Sequence, residues 1–161
     1  MAEEIERKFL VSGEGWRDAV AGRKRLVQGY LSSNAKATVR IRIVDDQKAL
    51  LTLKGPAEGI SRAEFEYEVP LDDARQMLEL AQPNVVEKVR HLVPHGGLIW
   101  EVDVFGGAHA GLVMAEVELV SEDQVIDLPG WAGKEVSHDD RYANASLARV
   151  PGVPSVDPDV A

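Results

Sequence analysis

Apolar and polar residues alternate with a period of two along most of the chain. Such alternation is typical of β-strands that have one apolar and one polar face. It predicts eight strands, at residues 3–10, 25–31, 37–44, 48–54, 63–69, 86–93, 98–105 and 113–120. Turn-forming residues separate most of these segments, among them Gly55-Pro56 and Gly106-Gly107. The chain is therefore expected to be mainly β.

Helical spacing of apolar residues is confined to short stretches. Residues 71–81 show it best, behind Asp72 and Asp73, which are favourable near a helix N-terminus. Residues 14–22 form a weaker helical pattern, and Ser137 is a candidate cap for a last helix that runs to about Arg149. The tail, residues 150–161, is rich in proline and polar residues and is expected to be mobile.

The polar faces of the predicted strands are charged, and most of them carry a single sign of charge. The faces consist of Glu4, Glu6 and Lys8; Arg40 and Arg42; Lys54; Glu64, Glu66 and Glu68; Lys88 and Arg90; Glu101 and Asp103; and Glu116 and Glu118. A half-solvated antiparallel sheet would explain any one of these faces. As a set they favour another arrangement, because like charges two residues apart repel unless a counter-ion lies between them.

The predicted helices are too few to cover both faces of an open sheet. In a closed sheet, charged faces can surround a wet lumen while apolar faces pack outward against helices and loops. We therefore predict an α+β, mainly β fold: an eight-stranded antiparallel closed β-barrel with a few flanking helices. No internal repeat or break in composition marks a second domain, so this domain is expected to span residues 1–149.

The charges expected in the lumen suit two kinds of ligand. Clustered carboxylates favour a hard divalent cation such as Mg²⁺ or Mn²⁺, which prefers oxygen ligands. Converging arginine and lysine side chains favour phosphate, which arginine binds through its forked donors and lysine as a point charge. Carboxylates outnumber cations on these faces, so a bare lumen should repel a polyphosphate and binding should depend strictly on metal.

Composition excludes several classes of function. A formal net charge of −9 argues against a broad nucleic-acid surface. The absence of cysteine removes thiolate metal sites, disulfides and thiol nucleophiles. No apolar run approaches the roughly 18 residues of a membrane span, and the N-terminus lacks the pattern of a secretory signal. We expect a cytoplasmic protein without nucleic-acid or membrane partners.

Short charged motifs follow one another along almost the whole chain. They are EIERK at 4–8, VRIR at 39–42, LTLKG at 51–55, EFEYE at 64–68, KVR at 88–90, EVDVF at 101–105, AEVEL at 115–119 and RYANASLA at 141–148. In this order they resemble the CYTH superfamily, the triphosphate tunnel metalloenzymes, whose ExExK signature the first motif fits. The resemblance implies an eight-stranded antiparallel tunnel that binds a triphosphate group together with a divalent metal, Mg²⁺ or Mn²⁺.

The same resemblance implies roles for individual residues. The implied metal ligands are Glu4, Glu6, Glu116 and Glu118, with Glu64 as a further candidate. The implied phosphate-binding residues are Lys8, Arg40, Arg42, Lys54, Lys88 and Arg90. Lys8, Lys54 and Tyr30 are the catalytic candidates, since some members that hydrolyse triphosphates rely on a Tyr–Lys pair. Tyr30 could instead be an aromatic residue that only packs in the barrel. Arg141 could reach the phosphates from one end of the tunnel, or it could simply belong to a helix that covers the barrel.

The resemblance leaves the reaction open, because one fold can serve several chemistries. The leading hypothesis is metal-dependent hydrolysis of inorganic triphosphate to pyrophosphate and orthophosphate, since the chain is short and has few loops for a nucleoside pocket. Adenylate cyclase of the CYTH type, nucleoside or thiamine triphosphatase, a non-enzymatic polyphosphate-binding module and a general scaffold are the alternatives. A homodimer through an apolar side of the barrel is a further hypothesis.

Overall fold

The computed structural model describes residues 3–155. Within that range the chain forms nine strands and two α-helices, with three short 3₁₀ turns. The strands are β1 (Glu3–Val11), β2 (Gly22–Ser33), β3 (Thr38–Val44), β4 (Lys48–Lys54), β5 (Ser61–Val69), β6 (Val85–His95), β7 (Leu98–Phe105), β8 (Val113–Glu118) and β9 (Ala132–Glu135). The helices are α1 (Leu71–Ala81) and α2 (Asn144–Arg149). No helix among the described residues is long and apolar enough to cross a membrane.

Eight of the strands close into an antiparallel barrel, which confirms the predicted fold class. Their order is β5-β4-β3-β2-β6-β7-β8-β1, and pairing of β1 with β5 closes the sheet. That closing seam is short: Glu3–Ile5 pair with Ser61–Ala63. Further along, β1 pairs with β8 on one side and with the short strand β9 on the other.

The predicted elements are recovered with small differences at their ends. Helix α1 has the predicted bounds, and each predicted strand lies on one observed strand. The weak helical pattern at 14–22 corresponds only to a 3₁₀ turn at Arg17–Ala19. The last helix is shorter than expected, because a 3₁₀ turn at Asp140–Tyr142 precedes α2. Of the predicted mobile tail, residues 156–161 lie outside the described residues.

Apolar residues on the outside of the barrel form two cores. One lies over β1, β6, β7 and β8 and contains Phe9, Trp16 and Trp100. The other lies under α1, where Ala74 packs on Ile41 and its neighbours. Together they bury the outward apolar residues of most strands, while Leu53, Phe65 and Tyr67 on β4 and β5 stay exposed and the charged faces point to the inside.

A third core lies inside one end of the barrel. Val86, Phe105 and Met114 of β6, β7 and β8 pack there against Leu147 of α2. Helix α2 therefore packs across this end, and the charged residues occupy the remaining length of the lumen.

Candidate functional site

The barrel contains a charged cavity of about 500 Å³. The cations that line it are Lys8, Arg40, Arg42, Lys54, Arg62, Lys88 and Arg90. The carboxylates that line it are Glu4, Glu6, Glu64, Glu66, Glu101, Glu116, Glu118 and Asp140. Every residue predicted to bind metal or phosphate, and Tyr30 as well, is thus brought to one cavity, while their individual roles stay predictions. Glu68, which the alternation placed on the same face, is exposed and does not line it.

Three of the lining cations are held by carboxylates. Nζ of Lys54 lies 2.9 Å from a carboxylate oxygen of Glu4 and 3.5 Å from one of Glu64. Lys88 and Arg90 share Asp103, at 2.7 and 2.8 Å. Asp103 is fully buried, and burial would raise its pKa, but the charges of Arg90 and Lys88 outweigh that effect and lower it. Asp103 therefore acts as a buried counter-ion for both cations.

Lys8 and Arg42 differ from these cations because no carboxylate binds them directly among residues 3–155. Burial would lower the pKa of Lys8, but Glu116 and Glu6 outweigh it and raise the pKa, so the ammonium stays charged. The guanidinium of Arg42 donates from Nε to the side-chain oxygen of Gln28 at 2.8 Å. Burial, followed by the like charges of Arg40 and Arg90, lowers the pKa of Arg42 to about 10. Both side chains are positively charged at neutral pH and available to an anion.

The guanidinium of Arg40 makes only long contacts with its neighbours. Its Nη2 donates to the hydroxyl of Thr52 at 3.2 Å and lies 3.6 Å from Glu66, while its buried Nε has no partner among the described residues. A buried donor without an acceptor is costly. An anion in the cavity would satisfy it.

The carboxylates of β1 and β8 repel each other. Burial, followed by the charges of Glu116 and Glu4, raises the pKa of Glu6 to about 8. Burial would also raise the pKa of Glu116, but Lys8 and Arg90 lower it well below its usual value. Within residues 3–155 the carboxylate of Glu6 has no hydrogen-bonded or ion-paired partner. The charges of Lys8 and Lys54 act on Glu6 but do not outweigh its burial and the two neighbouring carboxylates.

This donor set suits a divalent ion in its chemistry, although the carboxylates are not gathered. Glu4, Glu6 and Glu116 offer only oxygen ligands, as Mg²⁺ and Mn²⁺ prefer. No group of three or more possible ligands within residues 3–155 is close enough to form a ready-made metal site. Glu4 lies 2.9 Å from Lys54 and Glu116 lies 3.5 Å from Arg90, so each of these carboxylates is directed to a cation and not to a shared centre.

Tyr30 and Lys54 both line the cavity, and no hydrogen bond joins them in the described part of the chain. Tyr30 is 6% exposed, and its hydroxyl accepts a hydrogen bond from the amide of Gln28 at 3.3 Å. Its ring belongs to the apolar core around α2. Arg141 does not line the cavity; its side chain binds Asp139 at 2.7 Å.

Sequence reasoning missed several polar residues of the cavity. Arg62 lines it while donating to the backbone oxygen of Gly55, and Asp140 lines it from the 3₁₀ turn before α2. Asn144, the first residue of α2, accepts hydrogen bonds from Lys88 at 3.0 Å and Gln28 at 3.2 Å. The shared strand face of Gln28 and Tyr30 is the one sequence signal that could have indicated that Gln28 lies near the cavity.

The structure thus combines a closed antiparallel barrel with one cavity that both cations and carboxylates line. A CYTH domain model matches residues 2–149. The chain is 43% identical to an inorganic triphosphatase of Acetivibrio thermocellus, with 94% of this chain and 96% of that protein covered. It is 37% identical to an inorganic triphosphatase of Nitrosomonas europaea, with 90% and 96% covered. The chain belongs to the CYTH family.

Solved structures support the same relationship. The crystal structure of the inorganic triphosphatase NE1496 superposes with a TM-score of 0.67 at 33% identity. The match covers 94% of this chain and 99% of that chain. The resemblance to the CYTH superfamily inferred from the motifs is therefore confirmed.

Proposed function

We propose that this protein is a divalent-metal-dependent inorganic triphosphatase. In this reaction, water adds to a terminal phosphorus of inorganic triphosphate, the bridging P–O bond breaks, and orthophosphate and pyrophosphate leave. The observation that carries the proposal is the cavity that contains Lys8 and Arg42, to which no carboxylate is directly bound among residues 3–155, together with the carboxylates of Glu6 and Glu116. The two inorganic triphosphatases that match nearly the whole chain support the same reaction.

The cations of the cavity would bind and orient the phosphate chain. Lys8 and Arg42 are charged and have no directly bound carboxylate among residues 3–155, and within the same range the buried Nε of Arg40 has no hydrogen-bond partner. Donors of this kind bind and orient phosphoryl oxygens, and those beside the transferred group stabilise the charge that develops there in the transition state. Lys88 and Arg90 share Asp103, so they would contribute to phosphate binding with their charge partly neutralised.

The carboxylates of Glu4, Glu6 and Glu116, with Glu118 and Glu64 nearby, would hold Mg²⁺ or Mn²⁺. A bound ion of this kind neutralises phosphoryl oxygens and makes the phosphorus more susceptible to attack. The ammonium of Lys54 lies 2.9 Å from Glu4 and 3.5 Å from Glu64, so it would stand beside the carboxylates that hold the ion and contribute its charge to the substrate. Lys54 and Tyr30 are then the candidates to align the attacking water.

The lining of the cavity favours an inorganic substrate over a nucleotide. Tyr30 is the one aromatic side chain among the described residues that line it, and its ring is packed against the core around α2. Recognition of adenine would be expected to use a stacking surface or a set of hydrogen-bonding groups at the mouth. The lack of such a surface among the described lining residues favours an inorganic triphosphatase over an adenylate cyclase or a nucleoside triphosphatase.

Release of orthophosphate and pyrophosphate from inorganic triphosphate and from ATP, with Mg²⁺, Mn²⁺ or EDTA, tests the proposal. We expect metal-dependent orthophosphate from triphosphate and little from ATP. Pyrophosphate together with cyclic AMP from ATP would establish the cyclase instead. Binding of triphosphate without release of orthophosphate would establish a polyphosphate-binding module.

Variants connect this activity to the cavity. Lys8→Ala and Glu6→Ala are each expected to lower kcat/KM by about 100-fold or more, the usual effect of removing one group that stabilises the transition state. Lys48→Ala and Glu79→Ala are the matched controls, because both residues are exposed and lie away from the cavity. Unchanged turnover in both cavity variants would overturn the assignment.

The proposed partner is a small polyanion in the cytoplasm, and neither nucleic acid nor membrane is a proposed partner. The net charge of −9 supports the absence of a nucleic-acid partner, and the absence of cysteine fits a reducing compartment such as the cytoplasm. A homodimer stays a proposal as well. Leu53, Phe65 and Tyr67 are exposed on β4 and β5, and light scattering would measure the mass in solution.

A further inference from the structure

Arg42 is held differently from Arg90. Arg90 is bound by Asp103, Glu101 and Glu116. Arg42, in contrast, is held by the neutral amide of Gln28, whose oxygen accepts from Nε at 2.8 Å. A neutral partner orients a guanidinium without cancelling its charge. With Nε used in this way, the two terminal nitrogens remain for an anion.

Gln28 is itself fixed by α2. It is fully buried, and its amide nitrogen donates to Oδ1 of Asn144 at 3.2 Å and to the hydroxyl of Tyr30 at 3.3 Å. Because the nitrogen of Gln28 is committed to these two acceptors, its oxygen must face Arg42. The orientation of the Gln28 amide thus follows from the position of Asn144.

Asn144 joins this pair to the second group of lumen cations. Its Oδ1 also accepts from Nζ of Lys88 at 3.0 Å, and Lys88 in turn shares Asp103 with Arg90. One side-chain oxygen on the first residue of α2 is therefore common to two chains of contacts, one to Arg42 and one to Arg90. The apolar residues of α2, Leu147 and Ala148, hold this end of the helix against the barrel.

We propose that Asn144 is a positioning residue, which couples docking of helix α2 to the orientation of Arg42 through Gln28. The inference rests on the proposed function, since it assigns the anion that Arg42 binds as a phosphate group of the triphosphate. Asn144 touches none of the reacting atoms in this proposal. It sets the affinity of the cavity for the phosphate chain.

Asn144→Ala removes the shared acceptor and leaves the helix backbone in place. We expect KM for inorganic triphosphate to rise about tenfold, with a smaller change in kcat, because an oriented cation that binds substrate and transition state alike contributes mainly to KM. Ser146→Ala is the matched control on the same helix, since Ser146 does not line the cavity and its hydroxyl contacts Arg149. Its KM and kcat should equal those of the wild type.

Gln28→Leu, a substitution on β2, removes the contacts of Gln28 with Asn144 and Arg42 and keeps α2 intact. It therefore remains informative if Asn144→Ala does not fold. It should raise KM through Arg42 alone, because the contact between Asn144 and Lys88 is kept. The double variant should be no worse than the poorer single variant, because both changes interrupt one chain of contacts. Additive losses in the double variant would overturn the coupling.

A merely structural role for Asn144 predicts another result. In that case Asn144→Ala would lower Tm while KM stays within twofold of the wild type at temperatures well below Tm, and the inference would be wrong.

Calorimetric titration with inorganic pyrophosphate in the presence of Mg²⁺ measures binding without cleavage, and so separates this test from the test of the reaction. If the wild type binds pyrophosphate but does not cleave triphosphate, the proposed function fails, and the ratio of pyrophosphate Kd values between Asn144→Ala and wild type still decides on Asn144. If the wild type neither binds nor cleaves, both proposals are wrong.

Discussion

At the scale of single residues, Glu6 carries the clearest chemical consequence of the cavity. Its pKa is raised to about 8 by burial and by the charges of Glu116 and Glu4. At pH 7 a carboxyl with that pKa is about nine-tenths protonated. A divalent ion binds the carboxylate form, so binding must expel this proton.

We therefore expect Mg²⁺ binding to release close to one proton at pH 7 and almost none above about pH 9, where Glu6 is already ionised. The apparent affinity for Mg²⁺ should rise with pH up to about 8 and then level off. Calorimetric titration with Mg²⁺ in two buffers of different ionisation enthalpy measures the release. Glu6→Gln is the control, because it cannot lose the proton, and any release that remains in it would come from another carboxyl. Equal enthalpies in both buffers for the wild type would contradict the prediction.

At the scale of secondary structure, the contact of α1 with β2 depends on Gly29. A Cβ at Gly29 would lie 2.7 Å from Cβ of Ala81 and 3.0 Å from Cδ2 of Leu78. Cβ of Ala81 is attached to the helix backbone and cannot give way without moving the end of α1, so a side chain at residue 29 separates helix and strand. Overpacking of this kind costs about 1–3 kcal/mol.

Gly29→Ala should therefore lower the free energy of unfolding by about that amount. Gly22→Ala on the same strand is the matched control, because the nearest atom to its added Cβ is 3.9 Å away, on Leu92. Urea unfolding of the two variants beside the wild type gives the difference. Equal midpoints for Gly29→Ala and Gly22→Ala would show that α1 can shift freely.

The same scale shows what the sequence could predict. Alternation depends only on neighbouring residues along a strand, so it predicted the eight barrel strands and placed Arg40 and Glu116 on inward faces. Strand β9 was missed because four residues, AGKE, are too few to show a period. Asn144 was missed for another reason. Its partners Lys88 and Gln28 are 56 and 116 residues away along the chain, and no local pattern reports which helix end meets which strand.

At the scale of the whole molecule, the balance of charge determines the order in which ligands can bind. The cavity holds at least as many carboxylates as cations, and the chain as a whole carries a formal net charge of −9. The negative charge of the cavity and the negative charge of the whole chain both oppose entry of a polyanion. A divalent ion on Glu4, Glu6 and Glu116 would offset the carboxylates that act on Lys8, while Glu66 stays 3.6 Å from Arg40. Metal and polyanion should therefore bind cooperatively.

Thermal unfolding with Mg²⁺ alone, pyrophosphate alone and both together measures this cooperativity. A ligand that binds the folded state raises Tm in proportion to its binding free energy. We expect pyrophosphate in EDTA to change Tm little, Mg²⁺ to raise it modestly, and the two together to raise it by more than the sum of the separate shifts. Glu6→Gln should reduce this excess because it weakens the metal site, whereas the exposed-site variant Glu79→Gln should keep it. An equal rise in Tm with pyrophosphate in EDTA and in Mg²⁺ would mean that the cations of the lumen bind the anion unaided, and the requirement for metal would then belong to the chemical step alone.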